Sequence, residues 1–134
     1  MDIIYEIDFA ILDALQKIHS GVLNVIMAFF SFIANGGAVW IAAAALLLLF
    51  KKYRTAGVAV FLSLIIELVL NEKIIKPLVA RPRPFTLNPE IDTIISQPSS
   101  YSFPSGHTCS SFAAATAFLC STSVLEQSPT QPLF

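Results

Sequence analysis

Two short stretches concentrate the side chains of this chain that can do chemistry. The first, residues 73–84, reads KIIKPLVARPRP and carries Lys73, Lys76, Arg81 and Arg83. The second, FPSGHT, is Phe103-Pro104-Ser105-Gly106-His107-Thr108 and holds one of only 2 histidines. Lys73 and Lys76 are three apart, a spacing that predicts a shared helix face. Pro82 and Pro84 fix alternate backbone angles and argue against regular helix around Arg81 and Arg83. A guanidinium held by a stiff backbone loses less entropy when its planar fork grips a phosphate. In FPSGHT, Ser105 is a good N-cap for the helix that follows. The first turn of that helix offers unpaired N–H groups and the positive end of a dipole, an anion site. Gly106 permits close approach to the backbone. His107 adds an imidazole, which gives or takes a proton near neutral pH. Taken singly, the cations read equally as snorkelling anchors and PSGH as a capped helix start. In combination the two stretches are much more specific, and both read as parts of an anion site.

The elements that must position these residues are apolar. The 134-residue chain is 55% hydrophobic and 13% charged, with mean hydropathy +0.72 and net charge -1, whereas a soluble domain averages about a quarter charged. That composition excludes an ordinary soluble domain, and no nucleic-acid partner is expected. Residues 3–17 alternate apolar and acidic faces and predict an amphipathic helix on the membrane or capping a bundle. Met1 to Asp13 carries acids and no basic residue, which is not a signal-peptide start. Residues 21–50 are nearly continuously apolar but broken at Asn35-Gly36-Gly37, which predicts two antiparallel spans, about 21–34 and 37–50. Further spans are expected at about 56–76 and 107–125, with a polar loop between them. Residues 126–134 (EQSPTQPLF) predict a disordered tail. Cys109 and Cys120, eleven residues apart on one helix, lie about 16 Å from each other, beyond disulfide reach.

The basic loop Lys51, Lys52, Arg54 is expected in the cytoplasm by the positive-inside rule. Three spans then place His19 on the cytoplasmic side and Lys73, Lys76, Arg81 and Arg83 outside. That outer excess of cations is consistent if an anionic ligand holds them. Glu67, inside the third span, is expected to face the bundle interior.

Lys76, six intervening residues and Arg83-Pro84, followed some twenty residues on by Pro104-Ser105-Gly106-His107, resembles the type-2 phosphatidic acid phosphatase superfamily, which includes vanadium haloperoxidases. The surroundings are most similar to its small bacterial membrane phosphatases, which act on lipid phosphates and undecaprenyl pyrophosphate. The resemblance runs from about Gly21 to Cys120. It implies an all-α membrane fold: about four transmembrane helices of a six-helix family core, within a partial domain over residues 1–125. It implies that Lys76 and Arg83 bind phosphate oxygens, that Ser105 and Gly106 add a hydroxyl and a backbone N–H, and that His107 protonates the leaving lipid oxygen. It implies membrane lipid and a phosphorylated lipid ligand as partners, no cofactor or metal, and a site on the extracytoplasmic face. Lys73 and Arg81 fall outside the motif and are expected to steer anionic head groups.

The family's third motif, S-R-x5-H-x3-D, supplies the nucleophilic histidine, its orienting aspartate and a further arginine. After His107 this sequence contains no histidine, arginine or aspartate. Covalent phosphoryl transfer by the family route therefore lacks its nucleophile. The expectation is a truncated, frameshifted or split phosphatase, inactive alone and of low stability as a lone monomer, with a second chain as one source of the missing motif. The alternative is a non-catalytic membrane protein binding anionic lipid head groups or a partner. A Ser105/His107 serine hydrolase is a poor reading, since G-x-S-x-G is absent.

Overall fold

The computed structural model describes residues 2–127. Most of the expected disordered tail, residues 128–134, lies outside them. Every regular element among the described residues is helical, so the fold is all-α. The chain runs through α1 (Asp2–Gln16), α2 (Gly21–Ala34), α3 (Ala38–Leu49) and α4 (Arg54–Leu68). A π-helical segment (Val69–Ile75) continues α4 into α5 (Lys76–Val79). The short α6 (Pro84–Leu87) and the long α7 (Gly106–Gln127) complete it.

Local chemistry sets most of these boundaries. Ser20 caps α2, its hydroxyl accepting from Leu23 N–H at 3.3 Å. The helix breaks at Gly36 (φ 61°) and Gly37 (φ 71°), left-handed conformations that glycine adopts without steric cost. As expected, no helix forms around Arg81 and Arg83, and helical structure resumes only at Pro84. That proline opens α6, because a first-turn position needs no N–H donor. At the other end of the chain α7 reaches Gln127, so Glu126 and Gln127 extend the helix into the expected tail.

Helices α3, α4 and α7 pack side by side. Trp40 of α3 donates its indole N–H to Ser111 Oγ of α7 at 3.1 Å, and Ser63 of α4 donates to Ala113 O at 3.3 Å. These pairings, with Gly57 of α4 against Ala44 of α3, run α4 antiparallel to both neighbours. The seam is built from small residues: Ala44, Ala56 and Ala114 are almost fully buried beside Val60 and Leu64. Small side chains let helix backbones approach closely, so dispersion and cross-helix hydrogen bonds hold the seam. Large apolar side chains point outward instead. Phe32 and Leu49 are 79% and 76% exposed, the reverse of a water-soluble pattern.

The stretch Gly21–Leu49 is the one among the described residues long and apolar enough to cross a membrane, by length and composition. Helix α2 buries no residue. Helix α1 is bound to the far side of the cationic segment: Arg81 pairs with Asp8, and its guanidinium lies 5.5 Å from the Tyr5 ring centroid. The pairing sets α1 beside Arg81, whereas the sequence reading put the residues before α2 and the cationic segment at opposite ends of the spans.

At Gly57 an added Cβ would sit 3.0 Å from both Ala44 O and Leu48 N. These are backbone atoms that cannot move without parting α3 from α4. Gly57→Ala is expected to destabilise the fold by about 1–3 kcal/mol, read as a lower unfolding midpoint.

A candidate phosphate site

The site lies where the C-terminal end of α4 meets the N-terminal end of α7. Asn71 and Lys76 are both buried there, 2% and 6% exposed. On an α-helix residues five apart point about 140° from each other. The π-helical turn closes that gap, because its hydrogen bonds join residues five apart. Lys76 N–H donates to Asn71 O in that manner. The same widening breaks the expected Lys73–Lys76 face: Lys73 is exposed while Lys76 turns inward.

Ala80 ends the helical run in the left-handed conformation (φ 47°), with its N–H donating to Lys76 O at 2.8 Å. The chain then passes extended through Arg81-Pro82-Arg83. Ser102 fastens this segment to the loop before FPSGHT. Its N–H and hydroxyl donate to Arg81 O at 2.9 and 3.1 Å, and the hydroxyl also reaches Pro82 O at 2.9 Å. Arg83 is gripped in turn: Nε donates to Ser100 O at 2.6 Å and Nη2 to Ser100 Oγ at 3.1 Å. The prolines stiffen the arginine, and the serines hold it in place.

On the facing helix Ser105 caps α7. Its hydroxyl accepts from Thr108 N–H at 3.3 Å, and its carbonyl accepts from Cys109 N–H at 2.9 Å. Gly106 abuts the lysine, since a Cβ built there would lie 4.0 Å from Lys76 Nζ and 3.8 Å from Glu72 Oε1. A methyl group fits, but it fills the space between the helix N-terminus and the ammonium. Lys76, Arg83, Gly106 and His107 thus line one cavity of about 500 Å³. The Ser105 side chain is not part of the lining and serves the cap. His107 presents an exposed side chain at the rim.

The cavity has two characters. Ile41, Phe61, Leu64, Ile65 and Leu68 form an apolar wall below the cations. Two carboxylates join the polar end. Glu67 is half-buried, faces the cavity as expected and accepts from Asn71 Nδ2 at 2.9 Å. Glu72 pairs with Lys76 Nζ. Asn71 Oδ1 is buried without a partner.

Arg81 belongs elsewhere. With Asp8, Tyr5, Phe9 and Leu12 it borders a second cavity of about 370 Å³, which Arg83 also touches. Two of the four cations expected to await an anionic ligand, Lys76 and Arg81, are therefore paired with the chain's own carboxylates. Sequence reasoning missed Asn71, Glu72, Ser100 and Ser102. The i,i+4 spacing of Glu72 and Lys76 was a usable signal; the two loop serines carried none.

The sequence profile of the PAP2 superfamily matches residues 52–124, which contain both halves of this site. An undecaprenyl-diphosphatase from Sulfolobus acidocaldarius is 39% identical over 85 residues, 63% of this chain and 40% of that protein. The chain therefore spans about two fifths of that relative's length. No solved structure matches the chain.

The grip on Arg83 generates a prediction. Arg83→Lys keeps the charge but cannot satisfy Ser100 O and Oγ with one fork. It is expected to destabilise the 98–102 segment by about 1–2 kcal/mol, read as faster proteolytic cleavage there with the helical content unchanged.

Proposed function

The chain belongs to the PAP2 superfamily, and from that membership we propose that its cavity binds the phosphoryl group of a membrane lipid phosphate, of the phosphatidate or undecaprenyl diphosphate kind. One observation carries the reading: a buried lysine, a braced arginine and a helix N-terminus converge on the polar end of a cavity, beside two carboxylates, and the other end is apolar. Fixed cations and amides stabilise charge on a phosphoryl group, and the apolar wall suits a hydrocarbon chain. In this proposal Lys76, Arg83 and the Gly106 N–H hold the non-bridging oxygens, Ser105 holds the helix start in register, and His107 protonates the leaving lipid oxygen.

The family reaction forms a bond from a histidine nitrogen to phosphorus as the lipid oxygen leaves, and water then cleaves that bond. Residues Thr108–Phe134 contain no histidine to attack. We propose that this sequence provides the phosphate-binding and proton-donating half of the site. The nucleophile then comes from a segment bearing the third motif, in a longer chain or a second one. A second reading is lipid binding without catalysis. Both readings expect the purified chain to bind vesicles containing dioleoyl phosphatidate, and Lys76→Met to weaken that binding at least about tenfold. They part on phosphate release. It is expected to be absent from the chain alone and to appear when a third-motif segment is co-expressed. Continued silence with that segment in place favours pure binding, and binding untouched by Lys76→Met removes both.

We also propose a multi-pass membrane protein with the site on the extracytoplasmic face. Four spans would separate α2 and α3 into two crossings. The pairing of α1 with Arg81 favours three instead: Gly21–Leu49 crosses once with a break at Asn35–Gly37, α4 to α5 returns, and α7 crosses again. In a background with Cys109 and Cys120 replaced by serine, single cysteines at His19 and Lys52 decide the count. Labelling by a membrane-impermeant maleimide from opposite faces is expected. Labelling from one face restores two crossings between them.

A further inference from the structure

Glu72 has no part in the phosphate-binding set, yet its carboxylate stands inside it. Its Oε1 accepts from Lys76 Nζ, and the lysine side chain is 7% exposed against 34% for the glutamate. The same oxygen lies 3.8 Å from the Cβ position of Gly106, where the first turn of α7 begins. An anion seated on that turn and on Lys76 meets this oxygen in the same space. Two anions cannot share one ammonium there without strong repulsion.

The surrounding charges make the conflict local. Sharing the cavity lining with Glu72 are Arg83 from the extended segment, His107 from α7 and Glu67 on α4. Glu67 is engaged by Asn71. Arg83 is engaged by Ser100. Lys76, buried and otherwise unpaired, depends on Glu72. Glu72, a third exposed, can swing from the lysine toward the open side of the cavity by rotating about its own side-chain bonds.

We infer that Glu72 is a built-in counter-anion, seated where a phosphoryl oxygen binds, that the incoming ligand must displace. This rests on the phosphate reading of the cavity and adds a specificity-determining residue to it. The carboxylate keeps the buried ammonium paired while the site is empty. Once displaced it remains nearby and opposes a ligand in proportion to the ligand's charge. Glu72 therefore lowers affinity for dianionic monoesters more than for monoanionic diesters.

The test uses the purified full chain and two probes at pH 8, inorganic phosphate as the dianion and dimethyl phosphate as the monoanion. Glu72→Gln leaves Lys76 an uncharged acceptor of the same shape. It is expected to tighten phosphate binding about tenfold and dimethyl phosphate about threefold. Glu72→Asp, which keeps the charge, is expected to retain the wild-type ratio between the probes. If Glu72→Gln leaves phosphate binding unchanged or weaker while Lys76→Met abolishes it, the displacement idea fails and the cavity remains a phosphate site. Equal tightening of both probes marks a structural loosening and also overturns it. Phosphate binding that survives Lys76→Met overturns the phosphate reading and this inference together.

Discussion

A buried ammonium is the constraint around which the site end is arranged. Lys76 is taken from water into the seam between α4 and α7, where an unpaired charge would cost several kcal/mol. Glu72 supplies the opposite charge from one turn earlier. The π-helical segment turns Lys76 and Asn71 to the same side, and Gly106 opens the facing helix beside them, a Cβ there lying 4.0 Å from Lys76 Nζ. Remove the need to house that charge and the widened helix has no evident reason to be there. Residue types that look unrelated along the chain answer one electrostatic requirement.

The seam keeps those parts in register. Ala44, Gly57, Val60 and Ala114 allow the three helices to meet backbone to backbone. Bulky side chains would hold the helices farther apart and widen the gap between Lys76 and α7. Close packing farther down α4 thus fixes the geometry of its polar end. The loop does the equivalent work for Arg83 through Ser100 and Ser102, so both cations of the motif sit on supports from distant sequence.

The two chemical halves of the site were legible because they are local. Ser105 before a helix, glycine and histidine after it, and proline-flanked arginines each declare themselves within a few residues. The helical class followed from apolar runs, and the break at Asn35-Gly36-Gly37 from turn residues. What the sequence hid was long-range or subtle. A π-helical turn keeps the same apolar composition as an α-helix, so Lys73 and Lys76 looked like neighbours when only one turns inward. Asp8 and Arg81 are 73 residues apart, and no pattern of spacing announces their pairing. That one contact sets α1 beside Arg81. The path of the chain before Asn35 depends on packing partners rather than on the turn itself, and α2 buries no residue.

Trp40 is the single tryptophan of the chain, and its indole spans α3 and α7 to reach Ser111. The adjacent residue, Ser110, lines the same cavity as Lys76 and Arg83. Indole emission shifts with hydration and with the loss of a hydrogen-bond acceptor. The protein thus carries its own optical reporter within two turns of the start of α7. Any parting of the two helices there is visible in the native fluorescence, without a label and without altering a residue.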